Sequence, residues 1–143
     1  MIIVVDTSVW SLVFRRKRIP RDNPWVVAFQ DHVAREGGIA IVGPIIQELL
    51  SGVKDPEFFK RLDTVMSPFP LLELDRSTYT AAARLANRCQ ESGLQPGNVD
   101  VLIAAACLEY HCPLLTADRD FLEIAKHCEL VVLPPLGRSG EPG

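Results

Sequence analysis

The chain is short of several features that would declare a class at once. No apolar run approaches the roughly twenty residues of a membrane-spanning helix, so a bilayer protein is not expected. No basic leader precedes the first apolar run, which meets Asp6 almost immediately, and this argues against a secretory signal. The expected compartment is therefore the cytoplasm. Cysteine is sparse, and Cys89, Cys107, Cys112 and Cys128 form neither a CxxC pair nor a zinc-ribbon spacing. They read as reduced thiols, with Cys89 and Cys107 acting as small hydrophobes in helices. Basic charge is not in excess either. A net charge of −3 means that the chain as a whole does not advertise nucleic-acid binding. No internal repeat or low-complexity segment interrupts it.

What is present fits one ordinary globular domain. A length of 143 residues, 48% of them hydrophobic, can bury a real core. Residues 2–5 predict a short buried strand, and Thr7 to Phe14 a helix after it. Asn23 and Pro24 start a second helix that runs to about Arg35, and Ile39 to Val42 is a second strand. Gly43-Pro44 opens a helix ending near Ser51-Gly52, and Asp55-Pro56 another through Met66. Leu71 to Leu74 predicts a third strand, and Asp75 or Ser77 caps a helix to Glu91. After the loop Gln95-Pro96-Gly97-Asn98, the run Val101 to Leu108 is apolar around most of a helix and should be buried on more than one side. Pro113 to Leu115, Arg119 to His127 and Leu130 to Leu133 complete the pattern as strand, helix and strand. Alternation of this kind predicts an α/β domain, with a mostly parallel central sheet of about five strands and helices on both faces. Residues 1–137 are expected to form that domain and 138–143 a flexible tail.

Four acids sit where this pattern changes from one element to the next. Asp6 closes the first strand, Glu48 lies a turn into the helix after the second, Asp100 opens the buried helix, and Asp118 follows the fourth strand. Each has a plainer reading. Asp6 and Asp100 read equally well as helix caps. Glu48 sits about 60° from Ile45 on a helical wheel and reads as a solvated border residue. Asp118 and Asp120 compete for one role, and Asp118 is favoured because it lies closer to the strand end. Taken together the four are harder to dismiss. In open parallel sheets, sites form beyond the carboxyl ends of the strands. Carboxylates set against apolar structure are costly unless hydrogen-bonded, neutralised or bound to a cation. Four converging there would make an oxygen-rich site for a hard divalent metal.

One local charge run stands out against the acidic total. Arg15, Arg16, Lys17, Arg18 and Arg21 fall within seven positions. A solvated loop is the plainer reading, and phosphate contact the functional one.

Around the acids the chain resembles the PIN-domain family, and within it the VapC toxins of toxin–antitoxin pairs. The resemblance rests on Val5-Asp6-Thr7-Ser8-Val9-Trp10, Gln47-Glu48-Leu49-Leu50-Ser51-Gly52, Asn98-Val99-Asp100-Val101-Leu102-Ile103-Ala104-Ala105 and Leu115-Thr116-Ala117-Asp118-Arg119-Asp120-Phe121. These segments occur in the family's order and at suitable separations. The resemblance implies that Asp6, Glu48, Asp100 and Asp118 form a catalytic, metal-holding quartet, with Thr7, Thr116 and Asp120 in support. It implies a Mg²⁺-dependent endoribonuclease, with Mn²⁺ as the alternative ion, leaving a 5′-phosphate and a 3′-hydroxyl. Arg15, Arg16, Lys17 and Arg18 are then candidates for RNA contact. The same resemblance implies an antitoxin partner covering the acidic groove, and a homodimer. Trp10, Trp25, Phe58 and Phe59 are candidates for such interfaces, against ordinary core packing. The competing function is a catalytically silent PIN-like module that binds RNA or protein without metal. A phosphotransfer domain is disfavoured, since position 8 is Ser8, no acid precedes Asp6, and Lys126 lies well past Thr116.

Overall fold

β-Branched residues build the innermost strand. The computed structural model describes residues 1–15, 18–34 and 38–135, and in it β1 (Ile3–Val5) is buried throughout. It is followed by α1 (Thr7–Phe14), α2 (Pro24–Ala34), β2 (Ile39–Val42), α3 (Gly43–Leu50) and α4 (Pro56–Met66). Then come β3 (Leu71–Leu72), α5 (Arg76–Glu91), α6 (Asn98–Glu109), β4 (Leu114–Leu115), α7 (Asp120–Ile124) and a 3-10 turn, Ala125–His127. Side-chain caps mark several of the starts. Asn23 Oδ1 accepts from the backbone N–H of Trp25 and Val26, and Asp55 from that of Glu57. Asp75 and Thr78 form a reciprocal capping box on α5.

The four strands are all parallel, in the order β3-β2-β1-β4. Every residue of β1 and β2 is buried, so both faces of the central strands are covered. The chain moves outward from β1 to β2 to β3, then returns to lay β4 on the other side of β1. That reversal puts the ends of β1 and β4 side by side, with Val5 in register with Leu115.

Two strand expectations come out shorter by two residues or more. The third ends at Leu72 because its partner Val42 is the last residue of β2, and α3 begins at Gly43. The expected fifth strand, Leu130 to Leu133, is a single parallel bridge from Val132 to Leu114. Two hydrogen bonds hold it, Leu114 N to Val131 O and Leu133 N to Leu114 O, both 2.9 Å. Pro134 and Pro135 follow and have no N–H with which to extend the ladder. The sheet therefore has four strands rather than five. The expected tail, 138–143, lies outside the described residues.

Inside, Trp10 is fully buried and its ring meets those of Phe14, Phe29 and Phe69 at centroid distances of 5.7, 5.2 and 5.3 Å. That makes Trp10 a core residue and not an interface residue, whereas Phe58 and Phe59 on α4 stay part-exposed. Val101 and the whole stretch from Ile103 to Cys107 are buried, as the all-round apolar pattern of α6 predicts. All four cysteines are free thiols. Among the described residues no helix is long and apolar enough to cross a membrane.

Candidate active site

The end of β1 delivers Asp6, and α1 begins at the next residue. Its backbone carbonyl accepts from Val9 and Trp10 at 3.0 and 3.1 Å, but its side chain caps nothing. The carboxylate turns instead toward β4. Oδ2 accepts a hydrogen bond from the Ser8 hydroxyl and another from the Thr116 hydroxyl, each 2.8 Å. Each hydroxyl also accepts from a backbone amide of the turn after β4. The N–H of Ala117 donates to Ser8 Oγ at 2.9 Å, and the N–H of Asp118 to Thr116 Oγ1 at 3.0 Å. A hydroxyl has one proton to give. With both protons spent on Asp6, the 3.3 Å approach of Ser8 and Thr116 is oxygen against oxygen. Two parallel relays, amide to hydroxyl to carboxylate, thus tie the β4 turn to Asp6. The indole Nε1 of Trp25 braces the same turn by donating to the Thr116 carbonyl at 3.1 Å.

Asp118 and Asp120 divide their roles differently from the simplest expectation. Asp118 braces the turn just ahead of α7, its Oδ1 accepting from the Asp120 N–H at 2.9 Å. Asp120, in the first turn of α7, is exposed and still joins the cluster. Carboxylate oxygens of Asp100, Asp118 and Asp120 all lie within 4.8 Å of one another. Asp100 is not a cap either: α6 begins at Asn98, so Asp100 stands in its first turn, half-buried. Burial pushes its carboxyl up to about 6, aided by the negative charges of Asp118, Asp6, Asp120 and Glu48 in that order. Every other candidate acid is therefore within electrostatic reach of Asp100. Glu48 stands at the margin, exposed on α3, with Oε1 accepting from Thr7 Oγ1 at 2.8 Å.

The closest group is thus Asp100, Asp118 and Asp120, with Asp6 and Glu48 around it. This donor set is anionic and made only of oxygen, so it fits a hard divalent cation and not a thiophilic one. Mutual repulsion of the carboxylates is the cost that such a cation would relieve.

The match to known proteins agrees with this geometry. A model of the PIN domain matches residues 3–127.

The chain belongs to the PIN-domain family.

Ribonuclease VapC11 of Mycobacterium tuberculosis is 29% identical over 126 residues, which cover 87% of this PIN chain and 92% of that protein. The VapBC2 complex of Rickettsia felis, solved with a DNA fragment from its promoter, superposes with a TM-score of 0.75. Its identity is 21%, covering 93% of this chain and 98% of that one. VapBC-5 of Mycobacterium tuberculosis, a member of the VapBC family of toxin–antitoxin systems, gives a TM-score of 0.62. Its identity is 20%, over 92% and 97% of the two chains. At these identities the two solved structures share the PIN fold.

Within this PIN domain, Ser8 is the polar contact that sequence reasoning missed. Its signal was a hydroxyl two residues beyond the strand-end acid: Thr7 reaches Glu48, and Ser8 returns to Asp6. Of the basic run, Arg15 and Arg18 are exposed just past α1, while Arg16 and Lys17 lie outside the described residues.

Proposed function

We propose that this protein is a Mg²⁺-dependent endoribonuclease and the toxin of a type II toxin–antitoxin pair, with Mn²⁺ as the alternative ion. The observation that carries the reading is the convergence of Asp100, Asp118 and Asp120 beyond the strand ends of a PIN domain, with the charge of Asp6 within reach of Asp100. In this reading Asp6, Glu48, Asp100 and Asp118 hold the metal, and Asp120 adds charge at the rim. A divalent ion bound there would polarise a phosphodiester, lower the pKa of an attacking water and stabilise the leaving oxygen.

The chain's own residues have distinct tasks. Ser8 and Thr116 fix the direction of the Asp6 carboxylate, because both donate to it. Thr7 steadies Glu48, which would otherwise be free on the surface of α3. Half-burial of Asp100 limits the water around the reacting phosphate. Arg15 and Arg18, with Arg16 and Lys17 of the same run, are the residues assigned to RNA phosphates. The expected products are a 5′-phosphate and a 3′-hydroxyl.

The solved VapBC toxin–antitoxin structures support an antitoxin partner, and in this reading that partner covers the acidic cluster and neutralises it. The toxin in this reading dimerises and works in the cytoplasm, where its RNA is. The test is cleavage of a pool of structured and single-stranded RNAs by wild type and by Asp100→Asn, in Mg²⁺ and then in EDTA. Cutting that needs both the metal and Asp100 is the expected result. No cutting, together with no metal uptake in calorimetry, would assign the chain to a silent binding module.

A further inference from the structure

Asp100 is held unlike its neighbours. Asp6, Glu48 and Asp118 each accept a hydrogen bond. Among the described residues none is donated to Asp100, although it occupies the helix position from which an acid commonly reaches back to the N-cap amide. Its place is set by space. The N-cap of α6 is Gly97, and a Cβ built on Gly97 would stand 3.2 Å from Asp100 Oδ2 and 3.6 Å from its Cγ. The carboxylate stands a few tenths of an ångström closer than a side chain at position 97 would ordinarily allow.

Backbone conformation does not explain a glycine here. Gly97 has φ −69 and ψ 146, an extended geometry open to every residue. Capping does not explain it either. Serine is at least as good an N-cap as glycine, since its oxygen satisfies a free amide of the first turn. What remains is the close approach of the carboxylate. We infer that Gly97 is a positioning residue: it leaves the room in which the Asp100 carboxylate turns toward Asp118 and Asp120, and so sets how tightly the cluster takes a divalent cation. This rests on the reading of the cluster as a metal centre.

The expected consequence is specific. With alanine or serine at position 97, the Asp100 carboxylate must move by a few tenths of an ångström, against a helix turn on one side and like charges on the other. Substitutions that misplace a ligand in this indirect way commonly cost on the order of tenfold in metal affinity.

The experiment titrates Mn²⁺ alone into the metal-free protein by calorimetry, for wild type, Gly97→Ala, Gly97→Ser and Gly43→Ala, with a thermal melt of each. Gly43 is the control, since a Cβ there meets nothing within 4 Å. The inference expects wild type and Gly43→Ala to bind alike, and both position-97 variants to bind roughly tenfold more weakly. It also expects Gly97→Ser to melt no lower than wild type without metal. Wild-type affinity in both position-97 variants would overturn it. So would weak binding that tracks a lowered melting temperature in both, because that is a purely structural role. If wild type itself took up no Mn²⁺, the metal-centre reading would fall first and this inference with it.

Discussion

Asp6 and Asp100 show how two carboxylates of one cluster can be prepared in opposite ways. Asp6 is buried and served by two hydroxyl donors, whereas Asp100 is half-buried and surrounded by acids. Folded Asp100 keeps its proton up to about 6, while an unfolded aspartate loses it near 3.8. Between those values the folded protein binds more protons, so its stability falls as pH rises through the window. Asp100→Asn should therefore raise the stability of the metal-free protein at pH 7 by on the order of 1 kcal/mol, allowing for water that screens a half-buried carboxyl. The gain should disappear by about pH 4. Urea unfolding in EDTA at both pH values checks this, and an equal gain at both would mean that the acid's ionisation is not its source. The opposite sign is expected at Ser8. Ser8→Ala leaves the Ala117 amide without its acceptor and Asp6 short of one donor, at a cost of about 1–3 kcal/mol. It should also weaken Mg²⁺ uptake, measured in the same samples.

α6 carries Asp100 and is itself held from nearly every side. Ala104, Ala105, Ala106 and Cys107 are all at most 3% exposed, and Ala106 itself is fully buried, so a larger side chain there meets packed neighbours. Ala106→Leu should destabilise by about 1–3 kcal/mol through overpacking. Because a strained α6 also shifts its first turn, RNA cleavage should fall more than the loss of folded protein accounts for. Chemical unfolding and activity per folded molecule, measured together, check this. The helices were the legible elements. Asn23-Pro24, Asp55-Pro56 and Asp75 gave true starts because a cap joins residues close in sequence. Strand lengths were less legible because a strand ends where its partner does. Glu73 and Leu74 continue the run of Leu71 and Leu72 with no breaker between them, yet β2 has no residue left to pair with them.

At the scale of the molecule, the placement of the acids was readable because an α/β alternation sends every strand's carboxyl end to one edge. Which acids come closest was not readable. Asp120 joins Asp100 and Asp118 through the tight turn at the start of α7, and that turn depends on tertiary bonds to Ser8 and Trp25. The charge of the whole matters to the substrate as well. On the proposed function, a protein of net charge −3 with an acidic cluster draws RNA by a local basic surface, and Arg15 and Arg18 lie just past α1, the helix that starts beside Asp6. Replacing both with Gln should weaken RNA binding and flatten its dependence on salt, by about 0.7 in slope for each phosphate that is no longer neutralised. An unchanged slope in binding titrations from low to high salt would assign that surface to another partner. The Thr116–Asp6 hydrogen bond joins positions 110 residues apart. Chains fold from the N-terminus as they are made, and pairings between distant positions form last. A nascent chain that has not yet reached β4 has no Thr116 to orient Asp6 and no Asp118 to set beside Asp100. On the proposed function, such a nascent chain is harmless, and the cutting edge is assembled only after Thr116 and Asp118 have been made.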